Sequence, residues 1–152
     1  MQNNSLLQAI ERLASRKGSQ LKALGQAPVD RVSVSRYREA LGLVADPHLG
    51  IPPMLIAHLL RPHANVTVDV RPQETIDTVL NNPVNGGTEV TFLRPLRLDE
   101  IISGEVILAD AYVRDGKNGP MAVVITEARY QDMQANDVAR VRSTMIYRGT
   151  IS

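Results

Sequence analysis

Three stretches decide the fold: GEVILADAYVRD (residues 104–115), PMAVVITEARYQD (120–132) and DVARVRSTMIYRG (137–149). Apolar and polar side chains alternate along each of them, which is the period of a half-buried β-strand. Short turns such as GKNGP (116–120) separate the three runs, so the sequence predicts an antiparallel meander of long strands. In the last run one predicted face carries Ala139, Val141, Ser143, Met145 and Tyr147.

A further strand is predicted upstream of the meander, in VNGGTEVTFLRPL (84–96), centred on Val90 and Phe92. We interpret the NGG that begins at Asn85 as a turn or bulge leading into this strand, because an isolated glycine in a strand pattern marks such an irregularity. Asp110 interrupts an otherwise apolar strand, and two interpretations stay open: a bulge, or a buried partner of an arginine.

The first segment of the chain predicts an amphipathic helix. Ser5 and Gln8 have the spacing of a capping box, and the apolar stripe that follows is expected to dock on the domain or on a partner subunit. Gly18 ends this helix, and a further turn is predicted around Leu21 and Leu24. We therefore expect an N-terminal helical extension over residues 1–28 and a single domain over 29–152.

Two more helices are predicted before the strands begin. The first runs from about Val34 to Leu43, with Ser33 as its cap. The second opens at Pro52 and Pro53, since proline is tolerated in the first turn of a helix. Its apolar residues point in nearly all directions, so it should be buried on most sides; these residues are Met54, Leu55, Ile56, Leu59 and Leu60.

Helices followed by a long-stranded antiparallel sheet predict an α+β layered fold. Strands of ten or more residues are longer than usual and can curl around a single apolar helix, which is the hot-dog arrangement. A chain of 152 residues suits one such domain. A lone hot dog leaves a sheet edge uncovered, so we expect pairing with a second copy or with a different subunit.

Composition excludes several classes of function. A formal net charge of +1 and an aromatic content of 3% argue against a nucleic-acid partner, which requires a basic surface or rows of stacking rings. The absence of cysteine excludes disulfides and thiolate metal sites, and the three histidines lack metal-ligand spacing. No signal peptide or apolar run long enough to cross a membrane is evident, so a cytoplasmic protein without a membrane partner is expected.

Four stretches resemble the N-terminal, FAS1-like half-domain of the MaoC-like dehydratases. They are GIPPML (50–55), FLRPLRLDEIISGEV (92–106), YVRDGKNGPMAVVITEARYQD (112–132) and ARVRSTMIYRG (139–149). Together they cover most of residues 30–150. The resemblance implies a hot-dog protein of the hydro-lyase class that binds an acyl thioester of CoA or acyl carrier protein. The implied reaction is hydration of an enoyl thioester or the reverse dehydration, and it needs no cofactor.

The family's catalytic half-domains use an Asp and a His separated by four residues as their acid–base pair. The only comparable pair in this sequence is Asp46 and His48, which are two positions apart in ADPH. These two are the candidate catalytic residues, and a surface turn at Asp-Pro is the alternative interpretation.

Substrate contacts are also implied by the resemblance. Pro52 and Pro53 have no N–H group, so Ile51 and Met54 are the candidate donors to the thioester oxygen at the start of the central helix. Several cationic side chains could contact the phosphates of CoA, and the alternative interpretation is that alternating arginines mark the solvent face of their strand. The candidates are Arg114 and Lys117, with Arg140, Arg142 and Arg148 on the last strand.

Three functions follow from these observations. The first is a tunnel-forming, structural partner of a catalytic hot-dog subunit, because the N-terminal type of half-domain is typically the non-catalytic one. The second is a self-sufficient homodimeric (R)-specific enoyl-CoA hydratase that uses Asp46 and His48. The third is a hot-dog acyl-CoA thioesterase or acyl-binding protein, in which Asp46 would activate water.

Overall fold

The computed structural model describes residues 2–43, 50–60 and 82–148. The helices and strands in these ranges are α1 (Gln2–Ala14), β1 (Gln20–Pro28), α2 (Arg31–Ala40), α3 (Leu55–Leu59), β2 (Asn82–Phe92), β3 (Ile101–Gly116), β4 (Gly119–Gln131) and β5 (Asp137–Arg148). The five strands form one antiparallel sheet in the order β1-β3-β4-β5-β2. Strands β3, β4 and β5 are joined in sequence by tight turns, which confirms the predicted meander.

Two irregularities in the sheet had signals in the sequence. The register of β3 against β4 shifts between Leu108 and Asp110, and the Asp110 carboxylate accepts a hydrogen bond from the Ala111 N–H at 3.0 Å. Its charged neighbour is Lys17 at 3.5 Å, so the bulge interpretation is confirmed and the buried-arginine alternative is wrong. The NGG is also a bulge, since the register of β2 against β5 shifts between Asn85 and Gly87.

One face of the sheet, which we call the inner face, is covered by the helices. At one end of it, α2 and α3 pack on β3, β4 and β5 around the fully buried Leu55 and Tyr130. At the other end, α1 packs through Ile10 and Leu13 against Leu108, and Gly18 donates a hydrogen bond to the Leu108 carbonyl at 2.8 Å. Helix α1 therefore docks on the domain, which confirms one of the two alternatives given for its apolar stripe.

The structure corrects the predicted segment that follows α1. Residues 20–28 form the edge strand β1 paired with β3, so the helical turn expected at Leu21 and Leu24 is wrong. A spacing of three favours a helix locally, but the backbone groups of this segment are satisfied by the neighbouring strand instead. The division of the chain after residue 28 stays a prediction.

The helix boundaries also differ from expectation. Helix α1 begins at Gln2, so Ser5 lies inside it and is not its cap. Helix α2 begins at Arg31 and is capped by Asp30, whose carboxylate accepts hydrogen bonds from the N–H and the hydroxyl of Ser33. Both hydrogen bonds lower the pKa of Asp30, and the bond from the Ser33 hydroxyl has the larger effect. An acidic cap also complements the helix dipole, and Ser33 is the donor rather than the cap.

Helix α3 is buried on one side only. Leu55 and Ile56 are almost fully buried, whereas Met54 is 43% exposed and His58 is also exposed. The expectation of burial on most sides is therefore wrong for the flank that carries these two residues. The sequence also predicts that this helix stops at Pro62, because proline breaks a helix interior, and that residue lies outside the described residues. No helix among the described residues has the length and apolar character that crossing a membrane requires.

Candidate functional site

The segment that leads into α3 is held in place by α2. The Arg38 guanidinium donates a hydrogen bond to the Gly50 carbonyl at 2.8 Å. The rings of Tyr37 and His58 lie 5.7 Å apart in a tilted arrangement. Because α2 contributes both contacts, the start of α3 has a defined position relative to the core below it.

The two predicted oxyanion donors lie at this helix start. Ile51 is half-buried and packs against the core, and Met54 immediately precedes the first helical residue. The N–H groups of the next two residues are used within the turn, since Leu55 donates to Pro52 and Ile56 donates to Pro53. Among the described residues, no hydrogen bond is formed by the N–H of Ile51 or Met54, so their role as donors stays a prediction.

Asp46 and His48, the predicted acid–base pair, lie outside the described residues, and their role stays a prediction. The side chains on either side of them are described. Leu41 is 53% exposed, Leu43 is 43% exposed, and Met54 on the far side is similarly open. Exposed apolar side chains thus flank the segment in which the acid–base pair was predicted, which suits an apolar ligand or partner.

Arg114 and Lys117 are exposed residues at the β3–β4 hairpin. The core beneath α3 contacts β3 at Val106. Eight residues of strand separate this point from Arg114, a distance of roughly 25 Å. The structure therefore does not bring these two cations next to Ile51 and Met54 in this chain, and their contact with CoA phosphates stays a prediction.

The Arg-Pro-Leu stretch that contributed to the resemblance has a structural role. Arg94 forms two hydrogen bonds to Glu100, at 2.7 and 3.1 Å, and one to Asp132 at 3.3 Å. Leu96, which lies between Arg94 and Glu100 in the sequence, is buried in the core. Burial alone would raise the pKa of Glu100, but the hydrogen bonds from Arg94 and from the Arg97 N–H hold it below its usual value. This cluster joins the β2–β3 connection to the β4–β5 turn.

Arg140 and Arg142 on β5 are ordinary surface residues. Arg140 is paired with Asp137, and Arg142 lies 3.8 Å from Glu127. Both arginines are more than 40% exposed. The expectation that alternating arginines mark the solvent face of β5 is confirmed for these two.

Sequence reasoning missed a row of hydroxyl groups on the inner face. Thr126, Ser143 and Thr88 are directly opposite one another on β4, β5 and β2. Ser143 is the one polar residue among the buried residues of the described chain, with 9% exposure. In the sequence, this row could have been recognised from Ser143, because it is a polar residue on an otherwise apolar face of β5. No group of three or more His, Cys, Asp or Glu that could hold a metal occurs within the described ranges.

Comparison with known families identifies the chain. A family model described as "FAS1-like, dehydratase domain region" matches residues 15–141. A comparison with curated proteins finds no match.

Solved structures show the same fold. A chain of the ChsH1–ChsH2 complex from Mycobacterium tuberculosis has a TM-score of 0.68 at 17% identity, and the match covers 97% of this chain and 95% of that one. A chain of the HadBC (3R-hydroxyacyl-ACP dehydratase) complex from the same organism has a TM-score of 0.55 at 12% identity, with 84% and 98% covered. A MaoC-like dehydratase has a TM-score of 0.57 at 13% identity, with 89% of this chain but 43% of that chain covered. These likenesses confirm the α+β hot-dog fold.

Proposed function

Because the chain belongs to the family of FAS1-like dehydratase regions, we propose that it is the tunnel-forming subunit of a MaoC-like enoyl-thioester hydratase or dehydratase. In this proposal it binds the acyl group of a CoA or carrier-protein thioester. A second hot-dog subunit supplies the acid–base pair.

The start of α3 is the observation that carries this proposal. The reaction needs N–H donors where negative charge develops on the thioester oxygen. The structure begins α3 at Leu55, so Pro52 and Pro53, which were predicted to open this helix, lie in the turn before it, and neither has an N–H to donate. The predicted acid–base pair departs from the family's spacing as well, because Asp46 and His48 are two positions apart. Both departures suit a chain that binds the acyl group and leaves the chemistry to its partner.

The similar structures are consistent with a heteromer. Two of them are complexes of differently named proteins, and the MaoC-like dehydratase that matches is more than twice as long as the part this chain covers. Among these neighbours the matched unit thus occurs in a complex or in a longer chain, which supports a second subunit as the partner of this chain.

A hydration assay tests the proposal. The purified chain is mixed with crotonyl-CoA, loss of the enoyl-thioester absorbance is followed, and the mass in solution is measured in parallel. We expect binding without turnover from the folded chain alone, and turnover after co-purification with a hot-dog subunit that carries the full Asp and His spacing. Turnover by the chain alone that is lost in His48→Ala would instead establish the self-sufficient hydratase. Release of free CoA would establish a thioesterase.

A further inference from the structure

A cavity lies on the outer face of the sheet, opposite the helices. Ile102 and Val106 of β3 are buried on the inner face, so the odd-numbered Ser103 and Glu105 lie on the outer face. The cavity, which we call the outer cavity, has a volume of about 300 Å³ and crosses β1, β3 and β4. Five long polar or charged side chains line it, namely Gln20, Gln26, Glu105, Arg129 and Gln131.

The edge strand β1 gives the outer cavity its shape. Its register against β3 shifts between Gln20 and Lys22 and again between Ala23 and Gly25, and such bulges bend a strand away from a regular ladder. Gly25 has a φ of +83°, and apart from its chain neighbours nothing lies within 4 Å of the place that a Cβ would take. Ala23, directly opposite Glu105, is short as well. Small residues among long polar ones therefore leave the depression.

Two opposite charges lie next to each other in the outer cavity without pairing. Glu105 and Arg129 are direct cross-strand partners, so their Cβ atoms are about 5 Å apart. The Arg129 Nε donates instead to Glu127 at 2.8 Å, and its two terminal nitrogens form no hydrogen bond within the described chain. The Glu105 carboxylate accepts a hydrogen bond of 3.3 Å from the Gln20 amide, whose oxygen accepts from the Ala23 N–H. Each charge thus has its own neutral or charged anchor.

These separate anchors define the ligand that fits. The free end of the Arg129 guanidinium matches a carboxylate, which it binds through two parallel hydrogen bonds. The Glu105 carboxylate only accepts, so it requires a donor such as an ammonium group. Because the two side chains are neighbours, one small molecule satisfies both when its carboxylate and ammonium groups are attached to the same carbon. The anchors also reduce the side-chain freedom that is lost on binding.

We propose that the outer cavity binds a small zwitterion of the α-amino acid class. The ligand carboxylate binds Arg129, and the ligand ammonium group binds Glu105. A volume of about 300 Å³ lies at the lower limit for ligand pockets, which suits a molecule of this size. The outer cavity lies on the face opposite α3, so this binding is independent of the proposed acyl-thioester function.

A titration of the full chain, followed by heteronuclear NMR spectroscopy, tests the site. L-Alanine carries both charged groups, whereas propionate lacks the ammonium group and ethylamine lacks the carboxylate. At low ionic strength, which limits the screening of partly exposed charges, L-alanine should cause saturable shifts of the backbone amide signals of Ser103, Glu105 and Arg129. It should bind about tenfold more tightly than propionate or ethylamine, because each of these lacks one charge-assisted hydrogen bond.

Substitutions assign the two charges. In Arg129→Gln, L-alanine should bind as weakly as ethylamine binds to the wild type, and in Glu105→Gln as weakly as propionate does. Arg114→Gln and Glu89→Gln are the matched controls, because they make the same changes of charge at exposed residues outside the cavity. Both controls should bind L-alanine as the wild type does.

Three results would overturn the site. They are the absence of saturable shifts, equal affinity for L-alanine and one of its fragments, and an equal loss of affinity in the control variants. Thermal unfolding shows whether each variant is folded. If Arg129→Gln is not, Arg129→Lys keeps the positive charge without the planar fork and should still weaken L-alanine binding. Crotonyl-CoA binding should be unchanged in the folded variants, so a failure of this site and a failure of the proposed function are measured separately.

Discussion

At the scale of single residues, Tyr130 links the sheet to the helix that packs on it. Its ring is fully buried, and its hydroxyl donates to the carbonyl of Leu60, the residue at the C-terminal end of α3. Burial raises the pKa of Tyr130, so the hydroxyl stays protonated as a donor. We expect Tyr130→Phe to lower the free energy of unfolding by about 1–2 kcal/mol, because a buried carbonyl loses its hydrogen bond. Urea denaturation measures this change.

Tyr112→Phe is the matched control for that measurement. Tyr112 lies on β3 with 42% of its surface exposed. Removal of an exposed hydroxyl usually changes stability by less than about 0.5 kcal/mol. Equal effects of the two substitutions would show that the Tyr130 hydroxyl contributes nothing specific to the packing of α3.

Single-residue features of this kind are largely hidden from sequence reasoning. Asp110 and the NGG were predictable irregularities, because a charge or a glycine pair breaks a local strand pattern. The bonds of Tyr130 to Leu60 and of Arg94 to Asp132 join residues far apart in the chain, so no local pattern announces them. The candidate pair Asp46 and His48 came from family resemblance and stays a prediction.

At the scale of elements, the Arg94 cluster, which consists of Arg94, Glu100 and Asp132, joins the β2–β3 connection to the β4–β5 turn. Side-chain exposures of 19% for Arg94 and 14% for both Glu100 and Asp132 place the three charges partly out of water. Arg94→Met leaves two neighbouring carboxylates without their shared cation, and we expect a loss of about 1–3 kcal/mol in unfolding free energy. Chemical denaturation of Arg94→Met beside Arg114→Met, an exposed arginine on the β3–β4 hairpin, measures it. A similar loss in both variants would contradict the role of the cluster.

Helix α1 offers a second prediction at this scale. Leu13 is 1% exposed against the sheet, whereas Leu7 on the same helix is 45% exposed. Leu13→Ala should cost about 2–4 kcal/mol, because it opens a cavity in the core beneath α1. Leu7→Ala should change stability little. If Leu13→Ala is as mild as Leu7→Ala in thermal and urea unfolding, α1 does not stabilise the domain.

The elements differ in how well the sequence predicts them. The four strands after residue 80 were predicted because each alternates over many residues with little competing helical pattern. Strand β1 was missed because it is a short edge strand with two shifts in register, and its leucines at a spacing of three favour a helix. Pairing with β3, a contact across about 80 residues of chain, overrides that local preference.

At the scale of the whole molecule, four carboxylates share one response to acid. Hydrogen bonds lower the pKa of Asp30, Asp132 and Asp137, chiefly from Ser33, the Asn136 N–H and Arg140 respectively. The pKa of Glu100 is lowered despite its burial. Their ordinary values are 3.8 for aspartate and 4.5 for glutamate. Below these values the unfolded chain binds more protons than the folded chain, so acid favours unfolding.

The free energy of unfolding should therefore fall as the pH drops from about 4.5 through the lowered pKa values of the folded protein. Urea denaturation at a series of pH values measures this limb. In Arg94→Met the limb should be shallower, because Glu100 and Asp132 lose the guanidinium that favours their charged forms. Arg114→Met should retain the wild-type slope. If the free energy of unfolding of Arg94→Met falls with pH as steeply as that of the wild type, the stability of the sheet at low pH does not depend on the Arg94 cluster.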